Sequence, residues 1–87
     1  MTKTITIYSR PSCQPCKATK RWWDRKGVTY QEVNVEESEQ TRAAIKELGY
    51  DGVPVIVVSS GDPETDIHWQ GLVLANMEKY TLPALVA

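Results

Sequence analysis

The chain has 87 residues and two cysteines, which stand two residues apart in Arg10-Pro11-Ser12-Cys13-Gln14-Pro15-Cys16-Lys17. An apolar, strand-like run, Ile5-Thr6-Ile7-Tyr8, precedes them, and a helical stretch follows. A C-x-x-C where a strand hands over to a helix is the pattern of thiol–disulfide exchange. That chemistry needs a thiolate, an accessible sulfur and a second thiol to resolve the mixed disulfide. Cys13 holds the place for the thiolate. At a helix start, unpaired N–H groups and the helix dipole favour negative charge. Arg10 and Lys17 lie close in sequence and add positive potential. The Cys13 thiol is therefore expected to ionise below the free-cysteine value of about 8.5. Cys16 falls one turn in, on the apolar stripe, where a less ionised, resolving thiol belongs.

Other readings of the pair are weaker. A structural disulfide over so short a loop removes little unfolded-state entropy. A structural zinc site usually takes four ligands, but the chain has no second C-x-x-C and a single histidine, His68. An inert core pair fits poorly with Gln14 and Pro15 between the cysteines. The sequence thus predicts no resident metal and no bound cofactor, only a redox-active Cys13–Cys16 pair.

Elements that position the pair can be read from periodicity. Residues 3–8 alternate, with Ile5 and Ile7 on one face, and predict a strand. A helix is expected from about 13 to 26, with Pro15 in its first turn, where the missing N–H costs nothing. Its apolar stripe is Cys16, Thr19 and Trp23, with Trp22 at the margin. Its opposite stripe carries Lys17, Lys20, Arg21, Asp24 and Arg25, and Lys17, Lys20 and Arg21 are candidates for steering an acidic partner. Gly27 is the expected stop. A second strand is expected over 28–35, with Val33 and Val35 on one face. Ser38 is the expected N-cap of a second helix, which runs to Leu48 with Ala44, Ile45 and Leu48 inward and closes at Gly49. Residues 53–58 form a continuous β-branched run, read as a buried central strand. Pro54 sits at its start, the one place a strand tolerates proline. A turn over 59–64 leads to a return strand, 66–69, ended by Gly71. Trp69 is either core or a platform beside the site. A third helix is expected over 72–80, with Leu74, Met77 and Tyr80 inward. The apolar stretch 81–87 has no pattern that assigns it to core or surface. The total is α/β: β-α-β-α-β-β-α, with a parallel pair joined by a right-handed crossover.

Bulk properties set the frame. Residues 1–87 are expected to form one small domain, burying roughly 60–65% of its unfolded surface. Charged residues at 24% and apolar ones at 41% fit an ordinary soluble globule. A net charge of −1 points to neither nucleic acid nor an anionic membrane as partner. No apolar run approaches the ~20 residues of a membrane span. The chain opens straight into a strand, with no signal-peptide pattern, so the cytoplasm is the expected compartment. There a C-x-x-C is more often catalytic or metal-binding than structural. No signal for an oligomer is visible, and a monomer is expected.

The segment from Tyr8 to Arg21 resembles the active-site segment of the NrdH-redoxins, glutaredoxin-like proteins of the thioredoxin superfamily. Gly49-Tyr50, Val53-Pro54-Val55 and His68-Trp69-Gln70-Gly71-Leu72 resemble that family's later landmarks. The resemblance implies the thioredoxin fold, a four-stranded mixed sheet in order 2-1-3-4 flanked by three helices. It implies that Pro54 is a cis-proline facing the cysteines and that the Val53 backbone binds an extended substrate segment by strand addition. Arg10, Gln14, Pro15, Trp69 and Gly71 then border the groove. Such redoxins take electrons from NADPH through thioredoxin reductase and pass them chiefly to class Ib ribonucleotide reductase. Alternatives are a glutaredoxin or mycoredoxin reduced by a low-molecular-weight thiol, and a metal or iron–sulfur module. Glutathione-using relatives show a Gly-Gly pair and then an acidic residue where this chain has Trp69-Gln70-Gly71-Leu72, with one glycine and no acid following, so glutathione is expected to fit poorly. The chain departs from the family's usual Trp-Ser-Gly-Phe-Arg-Pro, reading Trp69-Gln70-Gly71-Leu72-Val73-Leu74. Its turn at 59–65 also looks longer than the family's.

Overall fold

Alternating β-branched residues set the first strand, β1 (Thr4–Ser9), whose Ile5, Ile7 and Ser9 are buried while Thr6 and Tyr8 are only partly so. The structure is a computed structural model and describes residues 4–59 and 66–82. After β1 come α1 (Gln14–Lys26), β2 (Gln31–Asn34), a 3-10 turn (Val35–Glu37) and α2 (Glu39–Glu47). The chain then forms β3 (Val55–Ser59), β4 (Ile67–Gln70) and α3 (Leu74–Thr81). The sheet has four strands in the order β2-β1-β3-β4. β1 runs parallel to β2 and antiparallel to β3, and β3 runs antiparallel to β4. The order is the one the resemblance implies, and the parallel β1–β2 pair and the β3–β4 hairpin are those the pattern predicts.

The pleat sorts side chains onto two faces. One face gathers Ile5, Ile7, Ile56, Val58 and Trp69 with Trp23 of α1 and Met77 of α3. The other is smaller and holds Val55 with Val35 and Ile45 of α2, flanked by Tyr8, Tyr50, Val53 and Val57. Trp23 is fully buried and Trp22 packs against its cluster from the edge, as the helical stripe predicted.

Local chemistry fixes the ends of the helices. Ser38 caps α2, its hydroxyl accepting from the Thr41 N–H at 3.2 Å. Gly27 takes φ +72° at the end of α1. Its N–H donates to the Asp24 carbonyl at 3.3 Å, and the Val28 N–H donates to the Trp23 carbonyl at 2.9 Å. This paired closure is the Schellman motif, which glycine adopts without a Cβ penalty.

Three expectations are corrected. The second strand covers only 31–34, not 28–35. Val28 is spent closing α1, and Val35 enters the 3-10 turn, so both are buried outside the ladder. In α2 only Ile45 is buried, while Ala44 is exposed and Leu48, already past the last helical residue, is 43% exposed. α3 begins two residues later than expected, so Leu74 is its first residue and is 50% exposed, leaving Met77 as the buried anchor. The expected turn beyond Ser59 and the tail beyond Leu82 lie outside the described residues. Thr81 is buried and Leu82 packs against the core.

Candidate active site

The active segment begins where β1 ends. Ser9 is buried, and its hydroxyl donates to the Glu32 carboxylate of β2 at 2.8 Å. The Lys20 ammonium of α1 donates to the same oxygen at 2.6 Å. One carboxylate thus ties β1, β2 and α1 just behind the motif. The Lys20 and then the Ser9 contacts hold the Glu32 carboxyl below the usual carboxylate range, against a smaller opposing effect of burial. Ser12 turns the chain with φ +65°, a left-handed conformation uncommon for a residue with a Cβ.

Cys13 is the N-cap of α1, and its sulfur accepts from the Cys16 N–H at 3.2 Å. A sulfur therefore occupies the place where a serine or aspartate oxygen usually caps a helix. Pro15 lies in the first turn, as expected. The Thr19 hydroxyl bonds back to the Pro15 carbonyl at 2.8 Å, which satisfies a fully buried polar side chain. Cys13 and Cys16 are joined in a disulfide, with Cα atoms 5.2 Å apart. Cys16 is the deeper of the two, 1% exposed against 7% for Cys13. Gln14, Pro15 and Lys17 are exposed beside them. Among the described residues, no group of three or more His, Cys, Asp or Glu is placed to hold a metal ion.

The Val53–Pro54 peptide bond is cis, as the resemblance implied and periodicity alone did not. Pro54 is buried and Val53 is half-buried. The Pro54 carbonyl accepts from the Gly71 N–H at 2.8 Å, which joins the start of β3 to the end of β4. Gly71 has φ +88°, so the strand ends there at little steric cost. Trp69 is 5% exposed and belongs to the core beneath α1 and α3. A cleft of about 450 Å³ runs alongside, lined by Arg10, Val35, Arg42, Ile45, Tyr50 and Val53 among others. Of the predicted groove residues it takes in Arg10 and Val53. Of the three predicted steering cations, Lys17 and Arg21 are exposed, and Lys20 is engaged by Glu32.

Sequence reasoning gave no role to Ser12 or Glu32 and read residues 50–52 only as a loop. The loop's signal was present in Gly49-Tyr50-Asp51-Gly52, two glycines bracketing a tyrosine and an aspartate. Nothing in the periodicity marks Glu32, whose role depends on parallel register, Ile7 opposite Glu32.

The arrangement supports a two-electron exchange. In such an exchange a thiolate at Cys13 would attack a disulfide sulfur, and one substrate sulfur would leave as a thiolate. Cys16 would then give its proton to that thiolate and attack Cys13 Sγ, and the second substrate sulfur would leave. The substrate would be reduced, with the protein retaining the Cys13–Cys16 disulfide.

Comparison with known proteins gives the same reading. The glutaredoxin family profile matches residues 5–61. Glutaredoxin-like protein NrdH of Escherichia coli K12 is 31% identical over 67 residues, covering 77% of this chain and 75% of that protein. NrdH of Lactococcus lactis MG1363 is 31% identical over 52 residues, covering 60% of this chain and 72% of that protein. The structure of E. coli NrdH-redoxin superposes with a TM-score of 0.74 at 32% identity, covering 94% of this chain and 99% of that one. The sheet order and flanking helices are those of the thioredoxin fold. A glutaredoxin-family profile over most of the chain, the NrdH relatives and the capped Cys13–Cys16 pair converge, and this chain belongs to the glutaredoxin-like NrdH family of thiol–disulfide oxidoreductases.

Proposed function

We propose that this protein is a cytoplasmic, monomeric dithiol donor that receives electrons from NADPH through thioredoxin reductase and reduces protein disulfides, with class Ib ribonucleotide reductase as its main acceptor. One observation carries the choice over a glutathione-driven glutaredoxin. Where the glutathione-using relatives have a Gly-Gly pair and then an acid, this chain has a single glycine, Gly71, followed by Leu72, Val73 and Leu74, each more than a third exposed. Apolar side chains there offer nothing to the charged γ-glutamyl end of glutathione and suit a protein surface. The E. coli relative is described as glutaredoxin-like with a thioredoxin-like activity profile, which supports the same assignment. The substrate segment lies against the Val53 backbone, Pro54 faces the cysteine pair, and Arg10, Gln14, Pro15 and Gly71 border the groove. Trp69 supports it from the core. Lys17 and Arg21 supply the free positive charge near the motif.

NADPH consumption tests the reading. Oxidised protein is supplied with thioredoxin reductase in one reaction and with glutathione and its reductase in another. The expected result is turnover with thioredoxin reductase, abolished by Cys13→Ser. Turnover with glutathione alone would assign the protein to the low-molecular-weight-thiol glutaredoxins.

A further inference from the structure

Segment 50–54 is tied at three points to β4 and the glycine that follows it. The Tyr50 hydroxyl lies 2.7 Å from His68 Nδ1, and the two rings meet edge to face with centroids 5.6 Å apart. The Gln70 side-chain amide donates to the Asp51 carboxylate at 3.3 Å. The Gly71 N–H closes on the Pro54 carbonyl at 2.8 Å. His68 and Gln70 are two apart on a strand and so share a face, the one opposite Trp69. Gln70 pairs with Val55 through the ladder, and its side chain reaches back past Val53 and Pro54 to Asp51. Its amide nitrogen also lies 3.2 Å from where a Cβ on Gly52 would stand, so a side chain at 52 would displace the amide by a few tenths of an ångström. None of this is needed to build the core. These side-chain contacts are exposed and belong to neither hydrophobic cluster's centre.

We propose that Gln70 and His68 are positioning residues for thiol–disulfide exchange with proteins: from β4 they hold segment 50–54 so that the Val53 backbone presents the substrate strand to Cys13. The inference rests on the strand-addition reading of Val53 given above. A loosened segment lowers the population of the docking-competent loop and thus the apparent affinity for a protein disulfide. A small disulfide reaches Cys13 without that edge and is indifferent to it. Gln70 is thereby a determinant of protein over small-molecule substrates.

The test uses excess dithiothreitol as reductant, so the natural electron source plays no part. Insulin is the protein disulfide and 2-hydroxyethyl disulfide the small one. Gln70→Ala is expected to raise KM for insulin about fivefold, the effect of losing one modest hydrogen bond. Its kcat, its rate with 2-hydroxyethyl disulfide and its melting temperature stay at wild-type values. Gln70→Glu sets two carboxylates together and raises KM at least as much. Gln70→Glu combined with Asp51→Asn restores an amide–carboxylate pair in the opposite sense and brings KM back. An unchanged insulin KM in Gln70→Ala overturns the proposal. So does equal slowing of both substrates, or failure of the double variant to recover at an unchanged melting temperature. Wild-type protein that reduces 2-hydroxyethyl disulfide but not insulin would instead sink the underlying protein-disulfide reading, and the positioning role with it.

Discussion

At the scale of single residues, Cys13 combines two roles in one sulfur. It caps α1 through the Cys16 N–H and forms the disulfide with Cys16. A helix-start N–H of this kind favours a thiolate once the disulfide is reduced, so the cap and the proposed nucleophile share one sulfur. Glu32 is the residue that secures the neighbourhood, through Ser9 and Lys20. Its carboxyl is held below the ordinary range, so its contribution to stability is present at neutral pH and is lost as pH falls through its folded-state value. The Lys20–Glu32 pair is partly solvated, so Glu32→Gln should cost only about 0.2–1 kcal/mol near pH 7. Urea titrations at pH 7 and at pH 3 should show the gap between wild type and variant closing in acid. Tyr30 behaves in the opposite sense. Burial first, and then the hydrogen bond to Asp24, push its phenol up to about 12. The folded state keeps that proton longer than the unfolded chain, so this contribution is intact below pH 10 and disappears as pH rises toward 12. Absorbance at alkaline pH should show a phenol ionising at about pH 12 that is absent in Tyr30→Phe. The cysteines were legible because two thiols at a strand–helix junction have few other uses. Ser12 and Glu32 were not, because their roles arise from a backbone turn and from strand register, which spacing does not encode.

At the scale of elements, α1 was readable almost to the residue. Its stripe of Cys16, Thr19 and Trp23 is buried, Pro15 lies in the first turn and Gly27 closes it. The helix start that Cys13 caps is therefore written in local sequence. α2 and α3 were readable in existence but not in which side chains they bury. Leu48 and Leu74 lie at helix ends, where a 3.6-residue period no longer says which way a side chain points. β2 was overestimated because valine has the same strand propensity whether it joins a ladder or closes a helix, as Val28 does. The tie between α1 and α3 was invisible to pattern. The Trp23 indole N–H donates to the Thr81 hydroxyl at 3.1 Å in the buried interior, and that hydroxyl donates in turn to the Met77 carbonyl. Thr81→Val keeps the volume and leaves the indole N–H without an acceptor. The expected cost is about 1–3 kcal/mol, and each kcal/mol lowers the melting temperature of a domain this size by about 4–8 °C. Thermal unfolding followed by circular dichroism measures it. A variant that melts with wild type would show that the bond contributes nothing.

At the scale of the whole molecule, the sheet divides the labour. The face under α1 and α3 carries the larger core and anchors the helix whose N-terminus holds Cys13. The face under α2 is thinner, with Val35, Ile45 and Val55 at its centre, and the loop before Pro54 packs at its margin through Tyr50 and Val53. A mixed sheet with helices on both faces was legible from the β-α-β-α-β-β-α pattern, whereas the strand order came from the resemblance to the NrdH-redoxins. The latch from β4 to the loop was not, since it joins residues brought together only by the antiparallel pairing of β3 and β4. The division of roles between the two cysteines is the central claim, and trapping tests it most directly. Reduced Cys16→Ser protein, mixed with an oxidised protein disulfide and analysed by mass spectrometry after alkylation, should accumulate a mixed disulfide through Cys13. Reduced Cys13→Ser protein should accumulate none. An adduct that forms through Cys16 in the Cys13→Ser protein at a comparable rate would contradict the account.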